Sequence, residues 1–277
     1  MSQQVITPEL CEWITEQSRV GHASENILAA MLGSGWDETI ARQALARTLG
    51  QSATLTAPPD ATPGLPEPDL SRFEPVIDAG DRQVKVVMAQ RVIVFGDLLS
   101  EEECDGIVAL AGRRLARSET VATGAEGSEV NAARTSDGMF FERGETELIQ
   151  RVEARIATLL RWPLENGEGL QVLRYRPGAE YQPHYDYFDP GHVGTPGILK
   201  RGGQRVGTLV VYLNTPVAGG ATIFPDIGLD VAPVKGNAVF FSYDRPHAST
   251  QTLHGGSPVI EGEKWVATKW LRQGVFT

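Results

Sequence analysis

The chain has 277 residues, 41% of them hydrophobic, and a formal net charge of −10. That gives ample material for a buried core in one or two domains, and the acidic balance argues against a nucleic-acid partner, which needs clustered Lys and Arg. No run of about 18 apolar residues is present to span a membrane. The start carries Glu9, Glu12 and Glu16 instead of a basic leader, and Cys11 and Cys104 make no disulfide framework, so a reducing cytoplasmic setting is expected.

Residues 1–50 read as a small helical unit. Leu10 and Ile14 suggest a first helix. Ser24 is placed to cap a second, which runs through Ile27, Leu28, Met31 and Leu32 and stops at Gly33; Asp37 is placed to cap a third, with Ile40, Ala44 and Leu45 at helical spacing. So small a unit hides little core, and it is a candidate for binding a protein partner. Residues 51–70 carry Pro58, Pro59, Pro63, Pro66 and Pro68 and read as a semi-extended linker.

Residues 71–277 read as one domain. Ser100 followed by three Glu opens a capped helix with Ile107, Leu110, Ala111 and Leu115 at helical period. A second helix lies near residues 145–160, where Leu148, Val152, Ile156 and Leu159 recur. Short strands come next over residues 170–175, 206–213, 238–241 and 265–271, separated by Gly and Pro clusters. Helices followed by many short strands predict an α+β domain built on a β-sandwich or jelly roll.

The informative stretch is Tyr181-Gln-Pro-His184-Tyr-Asp186. A His and an Asp two apart on an extended segment point to one face. Two His and one carboxylate hold Fe(II) on one face of its octahedron and leave positions open, so a distant third His is required. The candidates are His22, His192, His247 and His254. His254 is favoured by its downstream neighbours, a Gly-Gly-Ser-Pro turn and then Lys264. That lysine opens a strand on which Lys264, Val266, Thr268 and Trp270 share a face while Lys269 points away. A cation and an aromatic facing a metal suit a small anionic co-substrate. Taken singly, the His-x-Asp pair reads as a solvated pair, Lys264 as a surface lysine, and Tyr175 and Trp270 as core aromatics; the ordered set makes the case.

At these residues the chain resembles the prolyl 4-hydroxylase catalytic-subunit family of Fe(II)/2-oxoglutarate dioxygenases. The likeness covers roughly residues 85–277 and rests on Leu99-Ser-Glu-Glu-Glu-Cys104, Arg134-Thr-Ser, Leu170 to Tyr175, Pro183-His-Tyr-Asp186, Gly203-Gln-Arg205, Tyr212-Leu-Asn, Gly219-Gly-Ala-Thr222, and His254 through Trp270. It implies a double-stranded β-helix, a jelly-roll barrel with helices packed outside. It implies iron held by His184, Asp186 and His254, the far carboxylate of 2-oxoglutarate on Lys264, its tail lined by Tyr175 and Thr222, and a substrate groove near Tyr181, Arg205 and Trp270. The implied reaction consumes O₂, splits 2-oxoglutarate to succinate and CO₂, hydroxylates a prolyl residue in a peptide or protein, and uses ascorbate to keep the iron reduced. One departure stands out: Arg272 replaces a His linked in the family to substrate contact, and a preference for acidic neighbours of the target residue is expected from it. Two other readings are hydroxylation of a free small molecule such as an amino acid, and a binding module with an idle barrel.

Overall fold

The computed structural model describes residues 6–7, 10–11, 13–15, 24–33, 36–48, 64–68, 75–89, 92–117, 120–121, 128–129 and 135–277. The chain divides into two compact units, Met1–Pro63 and Gly64–Thr277. In the first, helices α1 (Ser24–Gly33) and α2 (Glu38–Thr48) are present, and residues 10–11 and 13–15 are helical. Asp37 caps α2, its Oδ1 accepting from Ile40 N at 3.2 Å; the side chain of Ser24 lies outside the described residues. Leu10, Ile14, Ile27, Met31, Ala41, Ala44 and Leu45 form a small core.

The second unit begins at residue 64, earlier than the expected boundary near 70. Leu65 N donates to Asp244 O at 2.6 Å, and the Leu65 side chain packs on the main core. Its strands are β1 (Val76–Asp78), β2 (Gln83–Ala89), β3 (Ile93–Gly96), β4 (Ala116–Arg117), β5 (Thr120–Val121), β6 (Ser128–Glu129), β7 (Asp137–Phe141), β8 (Leu170–Tyr175), β9 (Tyr181–His184), β10 (Arg205–Tyr212), β11 (Ala218–Gly219), β12 (Thr222–Phe224), β13 (Leu229–Val231), β14 (Ala238–Ser242), β15 (His254–Gly256), β16 (Val259–Glu261) and β17 (Lys264–Arg272). Its helices are α3 (Glu101–Gly112), α4 (Glu147–Leu160) and the short α5 (Thr195–Leu199).

Two antiparallel sheets make the jelly roll. The large sheet runs β1-β2-β3-β14-β10-β17-β8-β7-β4, and the small one β13-β12-β15-β9. The amphipathic helices α3 and α4 cover the outer face of the large sheet, burying Ile107, Val152, Ile156 and Leu159 against Phe95, Leu170, Leu209 and Leu271. A second core, with Tyr175, Tyr212, Phe224, Phe241 and Val266, contains residues of both sheets. Strand β17 is buried along its whole length because both of its faces are covered. Helix α3 starts where expected: Ser100 Oγ accepts from Glu103 N at 3.2 Å, and Glu103 Oε2 accepts from Ser100 N at 3.0 Å, the reciprocal capping box.

Candidate active site

The small sheet brings the two expected histidine ligands together. His184 closes β9 and His254 opens β15, and they are direct cross-strand partners, so their side chains leave the sheet side by side. Gly255 permits the close approach: a Cβ there would stand 2.8 Å from Tyr181 O and 3.1 Å from Pro183 N. Asp186, just past β9, completes the group. His184 Nε2 lies 3.5 Å from Asp186 Oδ1 and His254 Nε2 lies 3.4 Å from Asp186 Oδ2. One ligand atom from each of the three falls within 4.8 Å of the others.

Hydrogen bonding sets which atoms face inward. His184 Nδ1 is 2.9 Å from Gln182 O, and His254 Nδ1 is 2.9 Å from Thr252 O. A carbonyl only accepts, so each Nδ1 carries the hydrogen and each neutral ring turns an Nε2 lone pair toward the carboxylate. Burial pushes the His184 imidazole pKa down, and His254 adds to this. Burial opposes ionisation of Asp186, but positive charge at the imidazoles beside it, carried as a proton when no metal is bound, outweighs that and holds its carboxyl well below the usual range. Thr208 Oγ1 donates to Asp186 Oδ2 at 2.7 Å and is itself 2.9 Å from Tyr243 OH. Two imidazole lone pairs and a carboxylate converging in a buried place repel one another unless a cation lies between them, and this donor set suits a divalent transition metal.

Lys264 lies at the same cavity, opposite Tyr175 in the β8–β17 register. It is 4% exposed, with Nζ 5.7 Å from the Tyr175 ring centre and 5.8 Å from that of Tyr212. It has no carboxylate partner among the described residues, and burial lowers its pKa to about 8. A buried, unpaired ammonium is a site for an anion. Thr222, whose Oγ1 accepts from Tyr212 OH at 2.8 Å, lines the cavity beside it. The expected alternation of β17 is present: Lys264, Val266, Thr268 and Trp270 line the cavity, while Lys269 turns outward and pairs with Glu153 at 2.5 Å.

Tyr181 stacks on His184 with ring centres 3.7 Å apart. Trp270 forms part of the cavity wall, with Arg205 behind it, the guanidinium 3.9 Å from the Trp270 ring centre. Arg205 donates to both carboxylate oxygens of Glu168, at 2.7 and 3.0 Å, and to Asp186 O at 3.3 Å.

Among the described residues, the other histidines, His192 and His247, stand apart. His247 is exposed and accepts from Ser249 N at 3.1 Å; His192 accepts from Gly194 N at 3.2 Å within its own turn; His22 lies outside the described residues, as does Arg134. Arg272 requires a correction. It is 1% exposed, pairs with Glu168 at 3.1 Å, and donates to Ile198 O and Arg201 O at 2.9 and 2.7 Å. So placed, it does not reach a bound substrate, and the expected charge selection by its side chain is withdrawn. The glycine-rich connection over 188–203 is held as well: Gln204 bonds Phe188 N and O, both at 2.8 Å. Sequence reading missed Thr208, Tyr243 and Glu168. Thr208 sits directly opposite Trp270 in the β10–β17 register, a pairing that only the fold supplies; Glu168, just before β8, gives no periodic signal.

The chain is similar to several known proteins. Residues 170–272 match the 2OG-Fe(II) oxygenase superfamily. The chain is 39% identical to prolyl 4-hydroxylase 5 of Arabidopsis thaliana over 71% of this chain and 74% of that protein. It is 41% identical to prolyl 4-hydroxylase 1 of the same plant over 74% and 79%. Among solved structures, the viral collagen prolyl hydroxylase of Paramecium bursaria Chlorella virus 1, in its 2-oxoglutarate complex, superposes with a TM-score of 0.52 at 29% identity, covering 66% of this chain and 97% of that one. With identity at this level across three-quarters of such relatives, and with the His184–Asp186–His254 group and Lys264 in one cavity, the chain belongs to the prolyl 4-hydroxylase family of 2-oxoglutarate-dependent Fe(II) dioxygenases.

Proposed function

We propose that the protein hydroxylates a prolyl residue within an extended peptide or protein segment, with Fe(II) held by His184, Asp186 and His254 and 2-oxoglutarate anchored by Lys264. The observation that carries this is the buried Lys264 ammonium, without an acidic partner among the described residues, at one cavity with a carboxylate and two imidazoles whose Nε2 atoms face that carboxylate. When bound, iron and 2-oxoglutarate supply the oxidising chemistry, using O₂. The protein's share is placement. Lys264 neutralises the far carboxylate in a low-dielectric setting, and Tyr175 and Thr222 border its tail. Thr208 orients Asp186 through Oδ2, and the carbonyls of Gln182 and Thr252 fix the tautomers of the two histidines. Tyr181 and Trp270 give apolar walls for a pyrrolidine ring, and Arg205 holds Trp270 from behind. Extended proline-containing chains are pre-ordered, which lowers the entropic cost of binding them. Ascorbate as the reductant of the iron, a cytoplasmic setting suggested by the two free cysteines, and a partner-binding role for a three-helix unit at residues 1–50 belong to the same proposal. The test is mass spectrometry of extended proline peptides and of free proline after incubation with Fe(II), 2-oxoglutarate and O₂. A gain of one oxygen on peptidyl proline is expected. Oxidation of the free amino acid alone would replace the peptide with a small molecule, and no 2-oxoglutarate consumption at all would leave the idle-barrel reading.

A further inference from the structure

Trp270 is the last cavity-facing residue of β17, and a ladder of alternating aromatic rings and guanidinium groups runs outward from it. The Arg205 guanidinium lies 3.9 Å from the Trp270 ring centre and 4.8 Å from that of Phe188. Arg272 lies 4.9 Å from the Phe188 ring centre and 5.4 Å from that of Phe276. Arg201 closes the series, 4.5 Å from the Phe276 ring centre. Glu168 ties the two inner cations, accepting from Arg205 at 2.7 Å and from Arg272 at 3.1 Å.

The ladder joins two stretches of the chain that are distant in sequence, 188–205 and 270–276. Phe188 and Arg201 belong to the segment over 188–203, Arg205 and Arg272 to neighbouring strands, and Phe276 to the stretch past β17. Hydrogen bonds to backbone carbonyls strengthen the join: Arg272 donates to Ile198 O and Arg201 O, and Arg201 Nε donates to Thr277 O at 2.7 Å, while Phe276 N is held by Glu165 O at 3.0 Å. A guanidinium held between two rings keeps its plane, and desolvated contacts of this kind are the stronger ones.

We propose that Arg272 and Phe276 are positioning residues for substrate: through Phe188, Arg205 and Glu168 they fix the plane of Trp270 and hold the 188–203 segment beside the cavity. This rests on the peptide reading above. It makes the affinity for peptide, and not for 2-oxoglutarate, depend on a ring that touches neither the metal group nor Lys264.

The test uses the full chain with Phe276→Ala, Arg272→Met, Arg272→Lys and, as a control, the exposed Val275→Ala. The peptide probe is an alternating Ala-Pro decamer. Phe276→Ala is expected to raise the KM for peptide roughly tenfold, while the KM for 2-oxoglutarate and the rate of its turnover without peptide stay at the wild-type level. Arg272→Met is expected to raise the peptide KM further, and Arg272→Lys to recover little, because an ammonium lacks the planar fork. Tryptic cleavage after Lys200 and Arg201 is expected to quicken in both Phe276→Ala and Arg272→Met, and not in Val275→Ala. An unchanged peptide KM, or peptide and 2-oxoglutarate KM values rising together, would overturn the proposal. If the wild-type protein hydroxylates no peptide, the peptide reading fails by itself, and unchanged cleavage after Lys200 and Arg201 then overturns the ladder too.

Discussion

His247 and His254 lie beyond the same strand, and the physical difference between them is in what their neighbours allow. His254 opens β15 opposite His184, whereas His247 caps its own turn. His254→Ala is expected to abolish iron-dependent 2-oxoglutarate turnover and His247→Ala to leave much of it; the reverse result in a succinate assay would refute the ligand assignment. Lys264 gives a second expectation. Removing the cation leaves a buried carboxylate unpaired, a cost of roughly 3–5 kcal/mol, so Lys264→Ala is expected to weaken 2-oxoglutarate binding at least a hundredfold in anaerobic titration. The same lysine sets a pH dependence. With its pKa at about 8 before ligand binds, it is cationic below that value and loses its proton above it. Affinity for the 2-oxoglutarate dianion should therefore hold up to about pH 8 and fall roughly tenfold per unit beyond it, and binding measured at a series of pH values checks this.

At the level of elements, the sequence is most legible where one face of a strand or helix is buried. The period of two placed Lys264, Val266, Thr268 and Trp270 in the cavity and Lys269 outside it, and the capping box marked the start of α3. The hairpin strands β1 to β3 and β7 went unread. β1 is only three residues with mostly exposed side chains, and β7 contains Gly138, so neither shows a clean apolar alternation. The charge at the centre of α4 was equally hidden. Helical spacing puts Arg155 at the edge of the apolar stripe, three past Val152 and four before Leu159, but does not name its partners: its side chain is 3% exposed and bonds Glu103 at 2.7 and 2.8 Å, Asp81 at 2.7 Å and Leu98 O at 2.9 Å. Only the fold brings these partners from three segments together. Truncating Arg155 leaves Glu103 buried without its main partner, so Arg155→Met is expected to cost roughly 3–5 kcal/mol in chemical denaturation. Burial raises the Glu103 pKa, but Arg155 and the Ser100 N–H outweigh it, and the folded value drops to about 2 from an ordinary 4.5. A depressed carboxylate stabilises the fold fully above its unfolded value and loses that contribution as the pH falls toward the folded one. The denaturation midpoint should thus decline between about pH 4.5 and pH 2, and Glu103→Gln should flatten that part of the profile.

For the whole molecule, the question is where catalysis can be separated from the helices at residues 24–48. The sequence placed the break near residue 70, because the proline-rich stretch has no apolar period to suggest packing. The structure places Leu65 against the core formed under α3 and α4, with its N–H on Asp244 O at 2.6 Å, and divides the chain between Pro63 and Gly64. A lone leucine between prolines carries no pattern, and so this contact could not be read in advance. It does decide where to cut. Residues 64–277 contain both sheets, α3, α4, the metal-binding group and Lys264. That fragment is therefore expected to fold cooperatively and to consume 2-oxoglutarate with Fe(II) at the rate of the full chain. A fragment starting at Ser71 lacks the Leu65 contact. Fully burying a leucine contributes roughly 1.5–3 kcal/mol; Leu65 is partly buried, so a loss of about 1 kcal/mol is expected, a fall of roughly 2–4 °C in melting temperature for a domain of this size. Calorimetry on both fragments beside a succinate assay tests the division: equal melting temperatures would show that Leu65 adds nothing, and an inactive, unfolded 64–277 fragment would show that catalysis needs residues 1–63.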